Sequence, residues 1–176
     1  MNYTAIVDSP LGDLSLLSDG EALTGLTFPK WRHVPEGFRE AERREDLPVF
    51  DETRRGLEIY FQGRDPGEAP PLRPDGTPFQ RQVWAELQTV PWGETITYGA
   101  IAQRLETVTG RRQSARAVGG AVGRNPIGIL IPCHRCVGTG GSLTGFGGGL
   151  DAKIALLELE GADMRRFRRP TRGTAL

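Results

Sequence analysis

The sequence predicts a two-lobed α/β (α+β) protein, a small antiparallel sheet with a helix followed by a mostly helical lobe. Three observations predict it. Short apolar runs separated by turn signals fill the first 28 residues, and apolar residues recur at helical spacing through most of the second half. Between them lies Arg64 to Gly76, with four prolines and two glycines.

Residues 3 to 28 hold Tyr-Thr-Ala-Ile-Val, Leu-Ser-Leu-Leu and Leu-Thr-Gly-Leu-Thr-Phe, separated by Ser9-Pro10-Leu11-Gly12 and Asp19-Gly20, the pattern of a three-stranded meander. Charged Glu36 to Glu45 reads as loop or weak helix. Leu47, Phe50, Leu57 and Phe61 share a helical face that ends before Gly63. Residues 64–76 read as a linker, so the expected units are 1–75 and 76–164, with a basic tail at 165–176 that is expected to be frayed and solvated.

In the second unit Thr77 is an expected N-cap with Pro78 in the first turn, ahead of Phe79, Val83, Trp84 and Leu87 at helical spacing. Pro91-Trp92-Gly93 interrupts the chain. A short helix over Tyr98 to Leu105, a break over Glu106 to Gln113 and a helix over Ser114 to Arg124 then resemble a helix-turn-helix with a long connection. Ile127 to Ile131 reads as a short buried strand, and Gly138 to Gly149 as a glycine-rich loop. Leu150 to Glu160 reads as an amphipathic helix closed by Gly161.

The chain has 176 residues, 38% hydrophobic and 25% charged, a composition that excludes intrinsic disorder and supports a buried core. No apolar run approaches the roughly 20 residues that cross a bilayer, and the start lacks the basic and apolar segments of a signal peptide. The expectation is a cytoplasmic protein with no membrane partner. Two cysteines, Cys133 and Cys136, are too few for a secreted disulfide framework. The formal charge of zero divides into −6 over residues 1–75 and +6 over residues 76–176, so the second half is suited to facing a polyanion. A chance imbalance, or mutual attraction of the halves, accounts for the charge equally well.

Ile129-Leu130-Ile131-Pro132-Cys133-His134-Arg135-Cys136 places a thiol beside an imidazole and a guanidinium after an apolar stretch. A free thiol with a pKa of about 8.5 is mostly protonated near neutrality, so a neighbouring base or cation raises its nucleophilic fraction. On an extended chain adjacent side chains point apart, so His134 needs a bend or a bridging water to reach Cys133. The alternative is a buried cysteine acting as a small apolar residue. Cys133-x-x-Cys136 also matches redox and zinc patterns. The glycines that follow do not start a helix of the kind that stabilises a redox thiolate, and the chain has only two cysteines and two histidines for zinc.

Gly119, Gly120 and Gly123 sit inside a helical pattern, where each costs roughly 1 kcal/mol relative to alanine. With Ala115, Ala117 and Ala121 they form a helix surface almost without side chains, from which Arg116 protrudes. Such a surface either packs tightly on another helix or lies close on nucleic acid with one cationic side chain inserted.

These segments resemble the O6-alkylguanine-DNA alkyltransferase family, also called methylated-DNA–protein-cysteine methyltransferases. The likeness runs through Gly76-Thr-Pro-Phe-Gln, Val83-Trp84, Thr97-Tyr98-Gly99, Ala115-Arg-Ala-Val-Gly119, Asn125-Pro-Ile127, Ile131-Pro-Cys-His-Arg135 and Gly148-Gly-Leu150. It implies a ribonuclease H-like first domain and a winged-helix-like second. It also implies irreversible, once-only transfer of an alkyl group from O6-alkylguanine in double-stranded DNA to Cys133, by a monomer that needs no cofactor and no metal; O4-alkylthymine as a further substrate stays open. By the same resemblance Glu160 orients His134, which acts on Cys133 through water. Arg116 enters the base stack, Tyr98 donates to N3 of the leaving guanine, and Asn125 braces the turn before the cysteine segment. Ser114, Ala115, Ala117, Gly119 and Arg124 complete the DNA face, and Tyr98, Val122, Pro132, Cys136, Phe146 and Gly147 line the base pocket.

Three departures stand out. Cys136 replaces the usual valine, Phe146 the usual tyrosine, and the 106–113 connection is longer than usual. The rival readings are a non-catalytic sensor of alkylated bases, against which Cys133 argues, and a Cys-x-x-Cys redox protein.

Overall fold

A computed structural model describes residues 1–171 of the chain. The alternation of apolar residues in the first run produces strands β1 (Tyr3–Val7), β2 (Leu14–Ser18) and β3 (Leu23–Thr27), paired antiparallel as expected. The charged segment that follows does more than loop. After a short 3-10 turn at Glu36–Glu40 it adds a fourth strand, β4 (Glu42–Arg43), parallel to β1, giving the order β3-β2-β1-β4. Both residues of β4 are exposed, so no hydrophobic alternation marks it. Helix α1 (Pro48–Phe61) packs Phe50, Leu57 and Tyr60 into the core and ends at Gly63, whose φ of +75° suits glycine.

The free edge of β3 joins the two lobes. Leu23 exchanges backbone hydrogen bonds with Pro71 and Arg73, which ties the proline-rich segment to the sheet. Leu26 donates to Pro126 and accepts from Gly128 on the far side of the molecule. The apolar run Ile127–Ile131 is therefore not a strand. It bridges β3 once, at Ile127, and then turns back on itself, with Ile129 at a φ of +66° and Ile131 donating to Ile127. A short buried turn and a short buried strand have the same apolar composition, so periodicity cannot separate them.

Helix α2 (Pro78–Gln88) begins with the Thr77/Gln80 capping box and buries Trp84, whose indole N–H donates to the Ala121 carbonyl at 2.9 Å. A two-residue strand, β5 (Ile96–Thr97), precedes α3 (Tyr98–Thr109). Helix α3 is one turn longer than its sequence pattern predicts. The expected break at residues 106–113 shrinks to Gly110–Ser114, because the exposed residues Glu106 to Val108 continue the helix until Gly110 caps it at a φ of +68°. Ser114 then caps α4 (Ala115–Val122), accepting from the Ala117 amide, so the helix-turn-helix has a short connection and the extra length lies in its first helix.

The segment Cys133–Arg135 forms a 3-10 turn rather than extended chain, followed by β6 (Cys136–Val137), which pairs parallel with β5. Helix α5 (Leu150–Leu159) is covered nearly all round, with only Asp151 and Glu158 exposed, so it is not the one-faced helix expected. The tail is not frayed over the part described. Arg168 pairs with Gly141 and Leu143 through the backbone, Phe167 packs against the small cluster of Val137, Leu143, Leu157 and Ala162, and Arg169 meets Asp151. Residues 172–176 of the expected tail lie outside the described residues. Among the described residues no helix is long and apolar enough to cross a membrane.

Candidate active site and nucleic-acid interface

The 3-10 turn carries Cys133 and His134, both buried, with Cys133 packed into the main core. Asn125, fully buried just after α4, holds the preceding turn. Its Oδ1 accepts from the Ile127 amide, and its Nδ2 lies within hydrogen-bonding reach of Ile127 O (3.2 Å), Ile131 O (2.8 Å) and Cys133 Sγ (3.1 Å). The expected bracing role of Asn125 thus extends to direct contact with the sulfur. Burial pushes the Cys133 thiol up to about 11, with the Asn125 contact and the charge of Lys153 opposing. The resting sulfur is a thiol.

His134 Nε2 lies 2.6 Å from Glu160 Oε1, at the C-terminal end of α5. Burial holds the imidazole below its ordinary value and outweighs the bond and charge of Glu160, so it is neutral near pH 7. A neutral ring that meets a carboxylate at Nε2 carries its proton there, which leaves the Nδ1 lone pair free. Nδ1 is buried and meets no donor among the described residues. Burial by itself would raise the Glu160 carboxyl, but the hydrogen bond from His134 and the hydrogen bonds and charge of Arg135 hold it at about 2. Arg135 donates through Nε at 2.8 Å and through Nη2 at 3.0 Å, and its Nη1 reaches Val90 O.

Two further residues belong to the site although no sequence motif marks them. Tyr60, from α1 in the first lobe, donates to Glu160 Oε1 at 2.8 Å and lies 3.4 Å from His134 Nε2. Lys153, from α5, is fully buried and donates to Cys136 O at 2.5 Å and Thr144 O at 2.8 Å. Burial lowers its ammonium to about 8. The spacing of Lys153 and Glu160, seven residues apart and on one helix face, is the signal that would have found it.

The outer face of α4 exposes Ser114, Ala115, Arg116 and Ala117, with Arg124 exposed just beyond it. A side chain added at Gly120 would meet nothing within 4 Å, and one at Gly119 would touch only the Tyr98 ring at 3.8 Å. Tight packing inside the protein therefore does not explain these glycines; they keep an outward surface bare. Beside it opens a cleft of about 390 Å³, within the usual range for small-ligand sites. Of the expected pocket residues Tyr98, Phe146 and Gly147 line it, together with Gly119 and Arg124 of the expected DNA face and Arg32 and His33 of the first lobe.

The remaining expected pocket residues stand elsewhere. Val122 and Cys136 are buried and do not line this cleft, and Pro132 lines a separate cavity between the lobes, with Tyr60 and Trp92. The Tyr98 hydroxyl is already engaged, donating to Thr144 O at 2.7 Å. Phe146 meets Trp31 edge-on at 5.4 Å and His134 at 6.3 Å, so its ring forms a wall between the cleft and the relay.

A bare, cation-bearing helix of a helix-turn-helix above a buried cysteine, histidine and carboxylate defines a DNA-binding protein with an internal sulfur nucleophile. Residues 2–68 match the 6-O-methylguanine DNA methyltransferase ribonuclease-like domain, and residues 78–162 match the 6-O-methylguanine DNA methyltransferase DNA binding domain. The methylated-DNA–protein-cysteine methyltransferase of Haemophilus influenzae is 45% identical over 90% of this chain and 86% of its own. The crystal structure of Mycobacterium tuberculosis O6-methylguanine methyltransferase superposes with a TM-score of 0.79 at 41% identity, covering 91% of this chain and 93% of that one. The same organism's protein in complex with DNA superposes at 0.77, with 40% identity and 94% of each chain covered. The chain belongs to the O6-methylguanine-DNA methyltransferase family.

Proposed function

We propose that this protein repairs alkylated DNA by moving the alkyl group of O6-alkylguanine irreversibly to Cys133, acting once, as a monomer in the cytoplasm. The observation that carries the proposal is the buried His134–Glu160 pair, whose imidazole belongs to the same turn as Cys133, with Nδ1 left open on the side away from the carboxylate. A water held by that lone pair takes the thiol proton and passes it to Nδ1, while Glu160, fixed by Arg135 and Tyr60, stabilises the imidazolium that forms. Sulfur then attacks the alkyl carbon in line. The carbon–O6 bond breaks, its electron pair stays on the guanine, and a stable thioether remains on Cys133.

A base inside a duplex cannot reach this sulfur, so the nucleotide is rotated out at an unstacking cost of a few kcal/mol. The bare face of α4 lies in the minor groove, and Arg116 fills the gap in the stack. Tyr98 turns its hydroxyl from Thr144 O to N3 of the leaving guanine, and the backbone at Cys133, Cys136 and Gly147 meets the guanine edge. Lys153 keeps the Cys136 carbonyl in place for that contact.

Intact-protein mass spectrometry after mixing with a duplex containing O6-methylguanine tests this. One methyl group gained on Cys133, and none by Cys133→Ser, is the required outcome. A wild-type protein that stays unmodified overturns the proposal.

A further inference from the structure

The first lobe sends one segment across to the cleft. Trp31 stacks on Phe28 at 5.4 Å, donates its indole N–H to Asn125 O at 3.3 Å, and fills the space that side chains at Gly128 and Gly147 would need. The Arg32 amide then donates to Gly147 O at 3.1 Å. The hook is thus fixed by packing and backbone bonds to the segments before and after the nucleophile, and the two residues that follow Trp31 are carried to the rim of the cleft. Arg32 and His33 are both exposed there, facing the end of α4 and Arg124. Lys30 and Arg32 are the only Lys or Arg in the first 38 residues of the chain, in a half whose net charge is −6. Of the two, Arg32 stands on the cleft that the second, cationic lobe opens.

We propose that Arg32 and His33 form a phosphodiester-binding wall that, opposite Arg124, grips the DNA backbone beside the nucleotide turned into the cleft. This rests on the function proposed above and deepens it, because the first lobe then contacts the DNA directly instead of only supporting the second. The chemistry suits a phosphate: a guanidinium and an imidazole donate to its oxygens from one side, and a second guanidinium faces them across the opening. Burial and the facing charges of Arg124 and Arg32 hold His33 below its ordinary value, which agrees with the three groups standing close together around the cleft. The backbone bond at Arg32 does not depend on its side chain, so truncation there leaves the hook attached.

The test measures binding to a lesion-bearing duplex as a function of salt, for the wild type, Arg32→Ala with His33→Ala, and His33→Lys. Each lost phosphate contact lowers the slope of log K against log salt by about 0.9. The double variant should bind several-fold more weakly with a slope shallower by roughly one to two, and His33→Lys should bind more tightly with a steeper slope. Reaction with free O6-methylguanine base, which has no phosphate, reports whether each variant is folded. A double variant that reacts with the free base and binds duplex with wild-type affinity and slope overturns the wall. Wild-type protein that takes no methyl from the duplex overturns the proposed function instead, so the two failures are distinct.

Discussion

Lys153 and Glu160 lie two turns apart on α5, and from that one helix they hold two different parts of the site. The ammonium of Lys153 fixes the carbonyls of Cys136 and Thr144, and the carboxylate of Glu160 fixes His134 and Arg135. Helix α5 contributes no nucleophile, yet it determines where the nucleophile's base and the pocket's backbone stand.

Lys153→Met removes both donors while keeping a long apolar stem. Each carbonyl loses a bond to a charged donor, with a net worth of about 1.5–3 kcal/mol. Methyl transfer, from duplex and from free base alike, should slow about tenfold or more, with duplex affinity little changed. Single-turnover rates alongside a binding titration check this; an unchanged rate would remove Lys153 from the pocket's support.

Glu160→Gln should slow transfer about 100-fold, because the base His134 loses the carboxylate that orients it and stabilises its protonated form, again with little effect on DNA binding. It should also change the acid limb of stability. The native Glu160 carboxyl sits at about 2 against an ordinary 4.5, so the stability it contributes is complete above 4.5 and is lost as pH falls toward 2. Buried neutral His134 acts in the same direction, since the unfolded chain takes up its proton below about 6.5 while the native site resists. Thermal melts should fall steadily below pH 6.5 in the wild type, and Glu160→Gln should lose the lower part of that decline.

Gly120 separates stability from function. A methyl group there meets open space, so Gly120→Ala should stabilise the fold by about 0.5–1 kcal/mol through helix propensity. Gly120→Leu should leave the fold equally intact but weaken duplex binding, because the bulk stands where the groove must approach. Melting temperature and DNA affinity moving in opposite directions is the expected signature.

Arg116→Glu should slow repair in duplex DNA far more than reaction with the free modified base, since only the duplex presents a gap to be filled. Equal slowing of both reactions would place Arg116 in the chemistry rather than in base extrusion.

Much of this was legible in the chain. Thr77-Pro78 announces a helix start through capping chemistry that acts within four residues, and the glycines of α4 announce a bare face wherever that helix ends up, whereas the caps at Thr97 and Ser114 emerged with the structure. Cys133 and His134 announce a thiol and a candidate base by adjacency alone, and the 3-10 turn supplies the bend that an extended chain would lack. What sequence could not settle depended on contacts between distant segments. The run Ile127–Ile131 became a turn because Asn125 and the edge of β3 satisfy its backbone, and β4 formed because β1 had a free side. Tyr60 reaches Glu160 across 100 residues. Burial also decided protonation: the same thiol, imidazole and ammonium would be ordinary on a surface, and only the packed second lobe makes the thiol resist ionisation while keeping the imidazole neutral. Residue types and short-range spacing thus determined which groups were present, and the tertiary structure decided their charge, their partners and the direction they face, because desolvation and long-range pairing exist only once the lobes are packed.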